Sequence, residues 1–543
     1  MILKIGEIDL CISEYKEYHT ERFDMYLSGD IYNLDDKESL EPGGEAKYLE
    51  SIAKAITNQE ADFERIYGYY RLFIVDKEIS SQYFFSDNLG SQRFYMNENT
   101  ISVSDSFLSL MKGIGVDKID RNAIAQLFAW GTIADGKTIA KGITKTDSDY
   151  YYEIKDKTII KHSKGLKRFC DKYTGHNLYD FVAAECRVNK GNLIGARVTG
   201  GNDSRAILAS ILKSGNKPET IITGHAGNPD IPISKKIADI AGVDLVILDS
   251  DEHENGWIEK SYDFFDGCFD PVLAYRQLQT VRSLKAGTRL LFGGVGGEFY
   301  KNYYINPFRD KIIFQKASVR DVVNKVFGHN TGCYAWLSDS ILQQTKGLEK
   351  QILELFQDKL EVEDDQLALF NHAGFYRLRS TFSDITNSIT RDMIQADPLV
   401  DPRLIRSIAD KNPFFLAMAI WQRRQIHRDY PALSEIETDQ GYSMTVNPIK
   451  LTYERIKKGF FWASRVTARV RRTLGLKWKD ITQNYWDVDY AAARQTDAWL
   501  KCFQICKDYE ILSKKAKEDD IPLACTGIII LLGMNIEGMK NGA

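Results

Sequence analysis

The chain has 543 residues, 43% hydrophobic and 12% aromatic, with a formal net charge of −4. That length asks for more than one domain, and that apolar content for packed cores rather than a disordered chain. The slight negative balance argues against nucleic acid as the main partner.

In chain order, the start MILKIGEIDL lacks the basic-then-apolar order and cleavage site of a secretory signal. The eight cysteines are scattered without zinc spacing. Both features lead us to expect a reduced, cytoplasmic protein. Residues 1 to 115 alternate in short runs bounded by turn residues, which predicts strands over 23–27, 69–75, 82–86 and 93–96. Four segments come in a telling order: LSGDIYN at 27–33, YGYYRLFIVD at 67–76, SDNLGSQRFY at 86–95 and ISVSDS at 101–106.

These segments resemble the glutaminase domain of the asparagine synthetase family, in which NGEIYN, GxFAFxxxD, RDxxGxxPLYY and a terminal "faSe" follow in that order. The resemblance implies an Ntn-hydrolase-like αββα sandwich. It also marks a loss. The family's nucleophile is a cysteine exposed at the chain start once Met is removed, but Ile2 stands there and the nearest cysteine, Cys11, falls inside a predicted strand. An isoleucine supplies no thiolate. Ser28 replaces the family's oxyanion-hole asparagine, while Asp30 and Asp87 stand where the family binds glutamine. The expectation is a domain that hydrolyses no glutamine and survives as a scaffold.

From about 117 the pattern turns helical, with a helix predicted over 119–130 and a turn-rich stretch over 131–143. We divide the chain into a glutaminase-like domain (1–115), a connector (116–170) and a second domain (171–543). IGARVTGGNDSR at 194–205 then reads as a strand, a glycine turn and a helix start. A helix N-terminus after two glycines offers free N–H groups and a positive dipole end to an anion. Gly200 and Gly201 let the backbone approach a phosphate, and Thr199, Asn202 and Ser204 add donors. A carboxylate beside phosphate, Asp203, calls for a cation, so ATP with Mg²⁺ is expected. The Lys-Ser/Thr ending of a Walker loop is missing. The loop resembles instead the SGGxDS pyrophosphate loop of ATP pyrophosphatases, with Thr199 in first place.

Strands over 218–224, 243–249 and 289–292 and a helix over 230–241 follow. The alternation predicts a doubly wound parallel sheet that binds its ligand at the strands' carboxyl ends. The last strand runs into a second glycine loop, GGVGGE at 293–298. It resembles the family's SGEGxDE, and with the first loop implies an ATP-pyrophosphatase (PP-loop) domain with extra helices. Gly294, Gly296 and Gly297 would face the nucleotide, and Asp203 and Glu298 would hold the metal and serve catalysis. DPLVDPRLI at 397–405 and IHRDYPAL at 426–433 resemble the family's PFLD segment and LRxxxxxLP helix end.

Two positions depart from the family. Val295 stands where the family has a catalytic glutamate, and Asp439 aligns with its adenylation lysine. Arg424, Arg428 and Lys450 are candidates to supply that cation, and Arg276 to bind a carboxylate substrate. The resemblance therefore implies an amide ligase that activates a carboxylate as an acyl-adenylate, for attack by free ammonia or an organic amine. The closest likeness is to members in surface-polysaccharide clusters, which suggests a sugar uronate as the carboxylate. Two other readings stay open: a nucleotide-binding pseudoenzyme scaffold, and ammonia-dependent asparagine synthesis from aspartate.

Residues 450–479 hold ten Lys and Arg against one acid, Glu454, interleaved with Phe460, Phe461 and Trp462. That is the pattern of a helix lying on an anionic membrane surface, or of a solvated helix packed on its own domain. The apolar run 523–534 is shorter than the ~20 residues a span needs and predicts a buried helix.

Overall fold

The computed structural model describes residues 2–5, 8–11, 15–225, 227–301, 317–328, 334–360, 365–389, 393–438, 442–453, 456 and 488–542. It is a mixed α/β structure with two antiparallel-dominated sheets and one parallel sheet.

The strands β1 (Ile2–Ile5), β2 (Ile8–Cys11), β3 (Lys16–His19), β4 (Phe23–Tyr32), β5 (Tyr67–Asp76), β6 (Ser81–Ser86), β7 (Tyr95–Asn97) and β8 (Ser102–Ser104) lie in the N-terminal part. β4 and β5 pair antiparallel over their full ten-residue lengths, Phe23 opposite Asp76 and Tyr32 opposite Tyr67. Both are buried nearly throughout, so the alternation visible in the sequence underrates their enclosure. One face, with Leu27, Leu72 and Phe85, packs on the Glu45–Thr57 helix through Leu49, Ile52 and Ile56. The other carries Phe73, Phe84 and Tyr152, and meets Met96 and Val103 of the second sheet.

The segment expected as a connector builds sheet instead. β9 (Ile143–Lys145) pairs with β7, and β10 (Tyr150–Lys155) with β6 and with β11 (Thr158–Ser163). The sheet orders are β1-β2-β8-β7-β9 and β11-β10-β6-β5-β4-β3. The antiparallel part therefore reaches residue 163, because these late strands cover sheet edges that would otherwise be left unpaired.

The parallel sheet contains β12 (Leu193–Arg197), β13 (Glu219–Gly224), β14 (Leu245–Asp249), β15 (Thr288–Phe292) and β16 (Ile394–Ala396), in the order β14-β13-β12-β15-β16. The first four match the sequence expectation, and β16 had no sequence signal. The chain winds outward from β12 to β14, then crosses back to place β15 on the other side of β12. The strand order thus reverses between β12 and β15, and such a switch point opens a crevice at the carboxyl ends.

The halves meet through buried charge. Asp384, on the Gln366–Ile389 helix, accepts from Lys145 Nζ at 2.7 Å and lies 3.3 Å from Arg93. Arg379 of the same helix pairs with Asp147 and Asp149 at 3.1 and 2.9 Å. At the C-terminus the Thr526–Gly542 helix buries Ile529, Ile530, Leu532, Ile536 and Met539. With the preceding turn, Leu523–Asn541 is long and apolar enough to span a membrane, contrary to the expectation from its apolar run, although 56% of the span is buried inside the protein. Cys502 and Cys506 are buried and unpaired, as expected, and burial pushes both thiols up.

Candidate active site at the sheet switch point

The first glycine loop leaves β12 at the switch point. Gly201 caps the Asn202–Lys213 helix in extended conformation, with no side chain bonded to the first turn. Ser204 Oγ accepts from Thr199 N at 3.1 Å, and Thr199 Oγ1 from Gly201 N at 3.2 Å, so the loop closes on itself. Arg205 is fully buried and donates to Gly200 O at 3.1 Å and Ile436 O at 2.6 Å. That bond ties the loop to the segment after the Pro431–Glu435 turn, which the sequence left 230 or so residues away.

The second loop leaves β15 beside it. A Cβ on Gly294 would lie 3.0 Å from Ser204 N, and one on Gly297 only 1.9 Å from Asp203 Cγ. Gly296 has φ +90°, and its Cβ would fall 2.7 Å from the Leu399 carbonyl. The glycines therefore serve close backbone approach, first loop against second and second against 397–400. The nine nucleotide-facing residues expected from sequence, Thr199 to Ser204 and Gly294, Gly296 and Gly297, stand together at one end of the sheet.

Asp203 and Glu298 share this site. Burial pushes the Glu298 carboxyl up, the Asp203 charge pushes the same way, and Lys301 opposes them. The sequence reading missed two partners of Asp203. Lys301 Nζ lies 2.6 Å from its Oδ2, and Gln422 Nε2 donates to its Oδ1 and to Gly297 O, each at 3.2 Å. Burial pulls the Lys301 ammonium down, but the Asp203 carboxylate outweighs it, and the net shift is upward. Glycine spacing could have flagged Lys301, three residues past Glu298; Gln422 had no sequence signal.

The cations proposed from sequence bond or pack against other groups. Arg428 bonds Asp429 at 2.7 Å, Lys450 pairs with Glu435 at 3.1 Å, and Arg424 is exposed over the Phe415 ring at 5.0 Å. Arg276 donates to His225 Nε2 at 3.1 Å, at the carboxyl end of β13. Asp439 lies outside the described residues, as does the 450–479 stripe except Lys450 among its cations. Val295 donates its backbone N–H to Asp397 at 3.0 Å, and its side chain packs against the core.

Several polar atoms around the switch point are enclosed without a hydrogen-bond partner: Arg197 Nε and NH2, Asn228 Nδ2, Ser250 Oγ, Tyr300 OH and Gln422 Oε1. Atoms remote from the loops, such as Tyr70 OH and Thr132 Oγ1, share this property, so it does not by itself single out the switch point. Burial pulls the Arg197 guanidinium down to about 10, against the attraction of Asp397. A separate groove of about 380 Å³ beside β14, lined by Asp249, Glu254, Gln279 and Arg282, shares no residue with either glycine loop.

Two carboxylates suit a magnesium ion that arrives with its nucleotide, because Mg²⁺ is commonly held by one or two carboxylates plus phosphate oxygens. Among the described residues no cluster of three or more His, Cys, Asp or Glu could hold a metal by protein groups alone.

In the antiparallel part, the pocket positions carry structural bonds. Cys11 is the last residue of β2, opposite Ile2 in the β1–β2 register and opposite Ser104 of β8, so it is a paired strand residue and not the residue at the chain start. Asp87 accepts from Leu89 N, Ser91 N and Gln92 N, all within its own turn. Asp30 accepts from Asn189 Nδ2 at 2.6 Å across the interface. Arg71, 1% exposed, reaches Ser28 Oγ and Asn387 Oδ1, each at 3.3 Å, and lies 3.7 Å from Asp105.

No protein-family model matches the chain, and no curated protein matches it.

Proposed function

We propose that the chain is an ATP-dependent, AMP-forming amide ligase of the asparagine synthetase kind that has no glutaminase of its own. On this reading the parallel sheet is an ATP-pyrophosphatase domain, and the antiparallel sheets with their helices are a glutaminase-like αββα sandwich. One observation carries it: two glycine loops interlock at the switch point and bring Asp203 and Glu298 together beside an uncapped helix N-terminus.

The chemistry follows from those groups. The first-turn N–H groups of the Asn202–Lys213 helix and the Thr199 and Ser204 hydroxyls hold the β- and γ-phosphates. A substrate carboxylate oxygen attacks the α-phosphorus, the bond to the bridging oxygen breaks, and pyrophosphate leaves. Magnesium, when bound by Asp203 and Glu298, neutralises charge on that leaving group. Ammonia or an organic amine then attacks the acyl carbon, loses a proton, and expels AMP. Val295 accepts no proton, so this amine is deprotonated by another group or by water.

The nucleophile comes from solution on this reading, because Ile2 stands where the family carries its cysteine and Arg71 donates to Ser28, which replaces the oxyanion-hole asparagine. A sugar uronate is the carboxylate we propose to test first. Calorimetry of Mg-ATP binding against Asp203→Asn tests the reading: Mg²⁺-dependent binding, weakened about tenfold or more by the loss of one charge on the metal, is expected. A folded protein that binds no Mg-ATP refutes it. It would leave the scaffold reading, which Val295 favours by removing the expected base.

A further inference from the structure

Both oxygens of Asp203 are already engaged. Lys301 Nζ holds Oδ2 at 2.6 Å, and Gln422 holds Oδ1 at 3.2 Å. Lys301 ends the short Phe299–Lys301 turn, directly after the second loop, and its own N–H donates to Glu298 O at 3.3 Å. The backbone thus fixes the lysine beside both acids. Its ammonium supplies one positive charge where a metal would supply two. A hydrated divalent ion reaching for Asp203 has to displace a contact ion pair and dehydrate as well, which magnesium does reluctantly.

We propose that Lys301 is an internal lock on the metal site. It holds Asp203 while the site is empty, and so excludes a divalent cation until a polyphosphate arrives. The phosphates, with several negative charges, outcompete one carboxylate for the ammonium. Lys301 then moves onto the phosphate chain and frees Asp203 for the metal. Lys301 has two roles in this scheme, counter-ion in the empty site and phosphate ligand in the filled one. Metal and nucleotide consequently bind with positive coupling, each raising the affinity of the other by the same factor. This rests on the nucleotide reading above only for the identity of the polyphosphate; the lock itself concerns Asp203, Lys301 and the metal.

The test is manganese binding to the full chain, read from the electron paramagnetic resonance signal of free Mn²⁺, first without nucleotide and then with ATP. Wild type should bind Mn²⁺ poorly alone and about 5- to 150-fold more tightly with ATP, the usual span of such coupling. Lys301→Met should acquire a manganese site without nucleotide, and ATP should improve it far less. Lys301→Arg should behave as wild type, and adding Asp203→Asn to Lys301→Met should remove the new site. A folded Lys301→Met protein that binds manganese alone no better than wild type overturns the lock. If that variant gains the site while neither protein binds ATP, the lock stands and the nucleotide reading falls.

Discussion

Gly297→Ala tests how tightly the two glycine loops are joined. The new Cβ would stand 1.9 Å from Asp203 Cγ and 2.3 Å from each carboxylate oxygen. Real Cβ contacts do not fall below 3.0 Å, so the carboxylate must withdraw by about 1 Å. Withdrawal strains the 2.6 Å contact with Lys301 and the 3.2 Å bond from Gln422. Overpacking costs ~1–3 kcal/mol. Hydrogen bonds to charged groups are worth ~1.5–3 kcal/mol, toward the low end here, because the Lys301 side chain is 35% exposed. A loss of ~2–4 kcal/mol is expected, lowering the melting temperature by roughly 2–4 °C per kcal/mol. Gly201→Ala is the control. Its φ of −76° suits any residue, and its Cβ meets only Thr199 Oγ1, at 3.2 Å. It should stay within about 0.5 kcal/mol of wild type. Thermal melts of the three proteins, with Mg-ATP calorimetry on each, decide the matter. A Gly297→Ala protein that melts with wild type and binds Mg-ATP equally well would show that the loops are not interlocked as described.

Three further outcomes follow from the interior. Asp384→Asn leaves Lys145 and Arg93 buried without their carboxylate and should cost ~3–5 kcal/mol; an unchanged urea midpoint would contradict the buried pairing. Burial pushes the Lys164 ammonium down to about 7. The unfolded chain keeps that proton to about pH 10.4, so between about 7 and 10 it binds more protons than the folded one, and stability rises with pH across that window. Below pH 7 the burial penalty is constant, so Lys164→Met should gain most on wild type at pH 6 and progressively less by pH 9. Equal differences at both pH values would refute the assignment. Glutamine incubated with the wild-type protein should release no glutamate, and Cys11→Ala should match it; release abolished by that substitution would restore a glutaminase.

Local pattern carried much of this protein. Period-2 alternation marked β4 to β6, and strand-glycine-helix punctuation placed β12, β15 and the loops after them within one or two residues. These features depend on neighbours a few positions apart, so the sequence by itself determined the α/β class and the residues of both glycine loops. Tertiary structure decided the rest. Strands β9 and β10 found edges formed about 50 to 70 residues earlier, β11 then paired with β10, and β16 joined a sheet whose other strands ended about 100 residues before it. Nothing local announces such partners, because an edge strand takes its place from whatever edge the fold leaves open. The charges show it most sharply. Arg424, Arg428 and Lys450 looked as eligible in sequence as any cation, but sheet order put Lys301 against Asp203, and chain crossings put Arg71 against Ser28 and Asn387. A charge's partner is set by distance in space, and only the packed fold fixes that distance.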